Sequence, residues 1–258
     1  MQRNLKNSLA FVIGAAVIIA AWYATASAIN DELFVPSPSE VVRETVAILS
    51  EKSTYKSIIG TFWRSTISFL ISFVAAIAFA SVASLSSYAE KAFYPLVAIV
   101  RVTPAMSIIF LCLIWLKAES SPVAISFIVV FPMLYSATLN ALKNRDKKIT
   151  EMLKVFGVSP AKRFFGVTLP DVFNRLFPEL ISTLAFSVKL TVSGEALAYT
   201  KASIGREMYR ASSLLITGRV IAWTILAILL SVIIELAAKL VYNLIRRGIR
   251  ENGRKKSV

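Results

Sequence analysis

Three ionisable side chains lie inside or beside long apolar runs of this sequence. They are Arg101, Lys189 and Glu195. A charge at the centre of a bilayer costs roughly 2.5–3.5 kcal/mol even on the mildest scale. Such residues therefore pair, bind freed backbone carbonyls or face a water-filled cavity. The chemistry that they offer is the binding of a charged or polar solute along a path, or a structural contact between helices.

Each of the three residues can be interpreted either as part of a solute path or as a structural contact between helices. Pro104 lies three residues after Arg101; a proline there breaks the helix and frees carbonyls that an arginine can bind. Arg101 is then either a clamp on the broken helix or part of a path. Lys189 and Glu195 are six residues apart on a run rich in hydroxyl side chains, and we expect them to share a side of one helix. This pair either faces the path or holds two helices together.

The sequence offers little for catalysis. It contains no histidine and one cysteine, Cys112, inside an apolar run. No intramolecular disulfide and no Cys/His metal site can form. The 9 glycines include no Gly-x-x-x-x-Gly-Lys-[Ser/Thr] phosphate loop, so the chain itself is not an ATPase. We predict a non-catalytic protein without a cofactor of its own.

The composition indicates a membrane protein. Hydrophobic residues make up 56% of the chain and charged residues 17%, and the mean hydropathy is +0.67. A net charge of +14 is also compatible with nucleic-acid binding. The charges, however, lie in loops and tails between apolar segments of spanning length, which favours a bilayer as the partner and no nucleic acid.

Six apolar segments approach the roughly 20 residues that cross a bilayer, and they predict an all-α, polytopic membrane protein with one domain over residues 1–258. The segments run from about Ser8 to Ile29, Ser57 to Leu85, Phe93 to Trp115, Pro122 to Leu142, Leu176 to Ala198 and Leu215 to Ile245. The first segment also fits a signal peptide, since it follows basic residues and ends in small ones. Its length favours a retained span.

The distribution of charge predicts the orientation. The loop over residues 143–175 holds eight basic residues against three acidic ones, and the tail from Arg246 holds six against one. The stretch from Asn30 to Lys56 holds five acidic residues against three basic ones. Because basic loops stay inside, we expect both termini and the loop over residues 143–175 to be cytoplasmic.

The loop over residues 143–175 contains helix-ending and helix-starting residues in an order that predicts two short helices joined by a bend. Gly157 can adopt the left-handed conformation that ends a helix. Ser159 can cap the next helix, and Pro160 fits its first turn. A compact helical knob of this kind suits docking to another protein.

The spacing within the loop resembles the EAA loop of membrane subunits of binding-protein-dependent ABC importers. That pattern is Glu-Ala-Ala, three residues, Gly, nine residues, then Ile-x-Leu-Pro. The residues at matching offsets here are Glu151, Gly157, Val167, Leu169 and Pro170. Met152 and Leu153 replace the two alanines, and Val167 replaces the isoleucine. The resemblance implies that an ATPase subunit docks on Glu151, Lys154, Gly157, Ser159, Pro160, Val167, Leu169 and Pro170.

Three further segments resemble the sulfonate, taurine and nitrate type of these permeases. They are Phe34-Val-Pro-Ser-Pro-Ser-Glu-Val41, Arg101-Val-Thr-Pro104, and Ser193-Gly-Glu195-Ala followed by Ile204-Gly205. The resemblance implies a type I importer fold in the cell inner membrane, acting as a homodimer. It also implies two ATPase subunits that bind ATP and an external solute-binding protein. The expected solute is a sulfonate-, taurine- or nitrate-like anion or a heterocyclic vitamin precursor.

Some alternatives remain open on the sequence. An ion-coupled secondary transporter and a non-transporting membrane scaffold are the two other functional classes. A heterodimer is an alternative to the homodimer. When a separate receptor selects the solute, the sequence of the membrane subunit need not contain residues that identify the solute.

Overall fold

The chain is described by a computed structural model over residues 2–144 and 147–255. All regular structure in these ranges is helical. The α-helices are α1 (Gln2–Ile29), α2 (Pro38–Ser50), α3 (Lys52–Leu85), α4 (Ser87–Val102), α5 (Ala105–Trp115), α6 (Ser121–Lys143), α7 (Lys147–Val155), α8 (Pro160–Arg163), α9 (Leu169–Ala198), α10 (Ile204–Ser213) and α11 (Thr217–Lys255). A π-helical turn, Phe164–Thr168, joins α8 to α9.

Within the described residues, the fold contains five single helices that are long and apolar enough to cross a membrane, and one bent pair that can form a sixth span. The single helices include α1, α3, α6 and α11, and the fifth is α8 to α9 taken together. The predicted all-helical fold is therefore confirmed, and the span count reaches the predicted six when the bent pair is taken as one span.

The third span is broken where the sequence predicts it. Helix α4 ends at Val102 and α5 begins at Ala105, with a bend of 97° between them. Pro104 has no N–H to continue the hydrogen bonds of α4, and it disfavours helical backbone at Thr103, which is extended with φ −69° and ψ 127°. The proline thus ends one helix and precedes the next.

Helix α3 packs through a stripe of small residues. Its buried positions recur every three or four residues and are Thr54, Ser57, Thr61, Ser65, Ser68, Phe69, Ser72, Ala76, Ala80 and Ala83. Small side chains let helix backbones approach closely in a membrane, where no hydrophobic force distinguishes helix from lipid. This stripe explains why α3 lies against both α6 and α9 along much of their length.

Helix α9 is central, and α1 is peripheral. One buried cluster joins α3, α4, α6 and α9, and a second joins α9, α10 and α11 to Ile48 of α2 around Trp223. Helix α1 contacts α2, and its Trp22 indole donates to the carbonyl of Pro36, which precedes α2, at 3.1 Å. Apart from the buried Ala26, most of the apolar side chains described between Leu9 and Ile29 are exposed, as on a surface that faces lipid.

Candidate functional site

Helix α7 is followed by a Schellman motif centred on Gly157. The Val158 N–H donates to the Leu153 carbonyl at 3.0 Å, and the Gly157 N–H donates to the Lys154 carbonyl at 3.1 Å. Gly157 has φ +70°, a conformation that costs a side chain free energy and that glycine adopts freely. The bend after α7 is therefore set by this glycine, as the sequence predicts.

The next helix begins at Pro160 but does not end as a separate element. Ser159 occupies the N-cap position, yet its hydroxyl makes no capping bond; its carbonyl accepts from the Arg163 N–H at 3.0 Å. The π-helical turn then leads directly into α9, and the Leu169 N–H donates to the Phe164 carbonyl. Pro170 has no N–H to give to the preceding turn, which the wider π turn accommodates.

The loop exposes apolar side chains. Phe156 is 76% exposed and Phe165 67%, and Val155, Met152, Phe164 and Leu169 are also exposed. Glu151, Lys154, Gly157, Ser159 and Pro160 are also exposed, whereas Val167 and Pro170 are half-buried where the chain enters α9. Residues 145 and 146 of this loop lie outside the described residues. The described part of the loop therefore exposes apolar side chains as well as charged ones.

A second group of polar residues, here named the polar cluster, consists of Thr61, Arg64, Glu119, Glu195 and Gly205. At its centre the fully buried Glu195 carboxylate accepts three hydrogen bonds. The Arg64 guanidinium donates to it at 3.0 Å, the Thr61 hydroxyl at 2.8 Å and the Gly205 N–H at 3.3 Å. The carboxylate thus has both an opposite charge and hydrogen-bond donors, as a buried charge requires.

Arg64 connects this carboxylate to two connecting segments of the chain. It donates to the Glu119 carboxylate at 3.2 Å and to the carbonyls of Lys201 and Ala202 at 2.9 and 3.3 Å. The Thr61 hydroxyl in turn accepts from the Ile204 N–H at 3.0 Å. Helices α3, α9 and α10 and the α5–α6 connection therefore meet in one hydrogen-bonded network.

Gly205 occupies a position that no other residue fits. A Cβ atom there would lie 2.2 Å from the Val192 carbonyl oxygen and 2.6 Å from the Ala196 nitrogen. Because its N–H also donates to Glu195, the two motif segments around Glu195 and Gly205 are in direct contact. The carboxylate lies at the N-terminal end of α10, where negative charge is favoured.

The expectation that Lys189 and Glu195 share one side of α9 is wrong. Six residues rotate an α-helix by about 600°, which leaves the two side chains about 120° apart. Glu195 is buried against α3 and α10, whereas Lys189 is exposed. The partner of Glu195 is Arg64, and Arg101 contacts neither residue.

Lys189 lines a groove between α9 and α11 with a volume of about 650 Å³. Its ammonium group makes no hydrogen bond or ion pair within the part of the chain that the structure describes. Glu235 lines the same groove and is bound by Lys239 at 2.5 Å. The groove therefore presents an unpaired cation.

Arg101 lies in the last turn of α4 and lines a different cavity, between α4 and α6. Its side chain is exposed, and it donates to no carbonyl of the described residues. The structure thus does not show the clamp on the broken helix, which is one of the two interpretations of Arg101. The three charged residues in the spans are not brought together at one site.

Residues 55–250 match the family of binding-protein-dependent transport system inner membrane components. The chain belongs to this family. It is thus a multi-pass membrane permease, the membrane component of an importer of small solutes.

Two relatives and one solved structure accord with this assignment. The chain is 22% identical to formylaminopyrimidine transport permease protein ThiX of Halalkalibacterium halodurans, over 70% of this chain and 71% of the relative. It is 24% identical to SsuC of Escherichia coli K12, named as a putative aliphatic sulfonates transport permease, over 81% of this chain and 80% of the relative. A chain of the inward-facing MetNI methionine ABC transporter matches with a TM-score of 0.59 and 14% identity, covering 73% of this chain and 96% of that one. The last comparison bears on the fold alone.

Sequence reasoning missed Arg64, which holds the polar cluster together. A signal was available: Arg64 follows Thr61 by three residues on a helix whose small polar residues recur at that spacing. An arginine within such a stripe is directed toward the neighbouring helices. The permease contains no group of three potential metal ligands among its described residues.

Proposed function

We propose that the permease acts as a homodimer, with the solute path along the two-fold axis and one ATPase subunit docked on each copy. ATP binds the ATPase subunits, and the permease holds no cofactor. A soluble receptor on the outer side delivers the solute. Family membership supports the general scheme; the exposed loop and the unpaired charges of the spans support the assignments of residues.

The docking surface is the loop over residues 147–170. Its exposed Phe156 and Phe165 are suited to a groove on the ATPase, and the same loop carries basic residues such as Lys154. Apolar and aromatic anchors of this kind supply most of the affinity of protein interfaces. The residues predicted for docking, from Glu151 to Pro170, all lie on this loop or where it enters α9.

The docking loop is connected directly to a membrane-spanning helix. Helix α8, the π-helical turn and α9 follow one another without an intervening loop. A rigid rotation of the docked segment therefore moves α9, which carries Lys189 in its second half and Glu195 near its far end. We propose that this continuity couples ATP hydrolysis to the movement of the spans.

The permease is oriented with its docking loop and both termini in the cytoplasm. The excess of basic residues in the loop and tail supports this orientation. The polar cluster then lies toward the outer end of the spans, since Glu195 is near the end of α9 that is distant from the docking loop. Its network fixes the outer ends of α3, α9 and α10 relative to one another.

Arg101 and Lys189 line the path, whereas Glu195 acts as a positioning residue. Both cations border cavities and lack partners among the described residues. Glu195 is fully buried and bonded to three donors. The solute is a sulfonate-, taurine- or nitrate-like anion or a heterocyclic vitamin precursor. The names of the two relatives mention aliphatic sulfonates and formylaminopyrimidine, and the motif resemblance supplies the rest of this range.

Reconstitution with the ATPase and receptor tests this function. Uptake into proteoliposomes should require ATP, and native mass spectrometry of the complex should give two permease chains with two ATPase chains. Uptake driven by an ion gradient without the ATPase would indicate a secondary transporter. A stable complex without solute-dependent ATPase activity would indicate a scaffold.

A further inference from the structure

The connection between α9 and α10, residues 199–203, is held in a strained conformation. Two of its residues, Tyr199 and Ala202, have φ of +53° and +44°. Left-handed backbone costs free energy at residues that carry a Cβ atom. Such strain persists only where the surrounding structure holds the chain in place, and it recurs in segments that switch between two conformations.

Helix α3 holds this connection from one side. The Arg64 guanidinium donates to the carbonyls of Lys201 and Ala202 at 2.9 and 3.3 Å. At Gly60 the two backbones lie so close that a Cβ atom would overlap the Ala202 carbonyl oxygen. The strained connection is therefore packed directly against α3, where Arg64 also binds the buried Glu195.

The connection between α5 and α6 holds it from the other side. The Thr200 hydroxyl donates to the Ala118 carbonyl at 2.7 Å, and the Lys201 N–H donates to one oxygen of Glu119 at 3.3 Å. The other Glu119 oxygen accepts from Arg64 at 3.2 Å. These three contacts, here named the outer latch, join the α5–α6 connection to α3 and to the α9–α10 connection.

The two carboxylates that bind Arg64 differ in burial. The Glu195 side chain is fully buried, whereas the Glu119 side chain is 55% exposed. An exposed ion pair adds little stability, because water can replace each partner. When the outer latch opens, Arg64 keeps its buried partner, and no charge is left unpaired inside the protein. The outer latch is therefore the part of this network that can break and re-form at low cost.

Both connections lie at the ends of helices that can transmit a movement. Helix α9 is continuous from the π-helical turn beside the docking loop to the strained connection, so a rotation of α9 acts on the outer latch. Helix α5 follows the 97° bend at Pro104 and packs on α6 through a small apolar cluster around Cys112. A short helix between a bend and a releasable contact can turn about the bend as a hinge.

We propose that the outer latch is closed before ATP binds, and that it opens when rotation of α9 draws the α9–α10 connection away from the α5–α6 connection. Relief of the left-handed backbone at Tyr199 and Ala202 favours the open form, and the bonds of Glu119 favour the closed form. Opening lets α5 turn about Pro104 and widens the outer end of the solute path. Glu119 is thus a positioning residue. The inference rests on the proposed function, because it requires the ATPase and the path.

The first test replaces the outer latch by a covalent link. Glu119→Cys and Lys201→Cys are combined in a Cys112→Ala background, and the permease–ATPase–receptor complex is treated with a short bis-methanethiosulfonate crosslinker. The crosslink should form without nucleotide, and prior trapping with ADP and vanadate should lower its yield at least about threefold. The crosslinked complex should lose the stimulation of its ATPase activity by the receptor, and dithiothreitol should restore it. Each single-cysteine variant is a matched control and should remain active after treatment.

The second test opens the outer latch. Glu119→Ala removes both bonds of the carboxylate and should raise the ATPase activity without receptor about two- to fivefold. Its melting temperature should be nearly unchanged, because the side chain is exposed; a merely structural role would lower the melting temperature and leave this activity unraised. Glu119→Gln keeps an oxygen that can accept both bonds and should have an intermediate activity. Glu32→Ala, which removes an exposed acid before α2, is the matched control and should leave the ATPase activity unchanged.

The outcomes that would overturn the outer latch differ from those that would remove the proposed function. Equal crosslink yields with and without trapped nucleotide, or no crosslink in the nucleotide-free complex, would contradict the latch. Full receptor stimulation of the crosslinked complex, or unchanged basal ATPase activity of Glu119→Ala, would also contradict it. The proposed function survives these results when the unmodified complex assembles and hydrolyses ATP in response to the receptor. Failure of the ATPase to bind the unmodified permease would remove the proposed function itself.

Discussion

The docking loop exposes apolar side chains, whereas the polar cluster buries charged ones. In the loop over residues 147–170, aromatic side chains such as Phe156 and Phe165 are exposed. In the cluster, the Glu195 carboxylate is fully buried and bonded to Arg64. An exposed apolar surface is completed by another molecule, whereas a buried charge is completed within the chain. The proposed function accordingly assigns the loop to a partner and the cluster to the permease itself.

The glycines of the two regions differ in the same way. Gly157 in the loop has φ +70°, and no other atom lies within 4 Å of the place that a Cβ atom would take, so its role is conformational. Gly205 in the cluster has no positive φ, and a Cβ atom there would overlap backbone atoms. Its role is to permit close approach of α10 to α9. Substitutions at these positions therefore probe the two regions by different mechanisms.

The largest expected effect is that of Glu195→Ala. The change leaves the Arg64 charge, whose side chain is only 17% exposed, without its main partner. Removal of one member of a buried ion pair costs about 3–5 kcal/mol. We expect a large fall in the melting temperature of the purified permease, measured by thermal unfolding in detergent.

Two variants make this prediction specific. Asp171→Ala removes an exposed partner of Arg175 on the same helix and should cost only about 0.3–0.5 kcal/mol. The double variant Arg64→Met/Glu195→Leu removes both charges and should be more stable than Glu195→Ala. Equal melting temperatures for Glu195→Ala and Asp171→Ala would show that the cluster does not stabilise the permease.

Gly205→Ala should have the next largest effect. The added methyl group would force the start of α10 away from α9 and lengthen the hydrogen bond from the Gly205 N–H to Glu195. Overpacking of this kind costs about 1–3 kcal/mol. Gly166→Ala is the matched control in the docking segment, since nothing lies within 4 Å of its Cβ position. Equal thermal stability of the two variants would contradict the close packing of α10 on α9.

Gly157→Val should destabilise the loop without affecting the cluster. A β-branched residue at φ +70° is strained by roughly 1–2 kcal/mol, so the bend after α7 should shift. We expect normal membrane insertion, an unchanged melting temperature for the spans and reduced ATPase-coupled uptake. Gly157→Asn, which tolerates the left-handed conformation, should retain uptake. Undiminished ATPase-coupled uptake by Gly157→Val would show that uptake does not require the bend at Gly157.

The sequence was sufficient for the spans, the broken third helix and the bend at Gly157. Each depends on local properties: the length of an apolar run, the missing N–H of Pro104 and the conformational freedom of glycine. The continuity of α8 with α9 was not predicted, because the basic composition of residues 160–175 indicates a loop. The backbone nevertheless remains helical from α8 through the π-helical turn into α9, although the segment is basic.

The partner of Glu195 was beyond sequence reasoning for a different reason. Arg64 and Glu195 are 131 residues apart, and their contact depends on how α3 packs against α9. Helical rotation alone was sufficient to reject the pairing with Lys189. Helical rotation could not identify Arg64, because residue spacing shows which face of a helix a side chain is on but not which helix packs against that face.

The measurement that tests the docking claim most directly is the affinity of the ATPase for the purified permease carrying Phe156→Ser/Phe165→Ser. Both side chains are exposed, so the double variant should have almost no effect on the melting temperature of the permease. Loss of two apolar anchors should weaken ATPase binding by at least about tenfold. Leu214→Ser, at an exposed position after α10, is the matched control and should bind the ATPase normally. An unchanged ATPase affinity of the folded double variant would contradict the assignment of this loop as the docking surface.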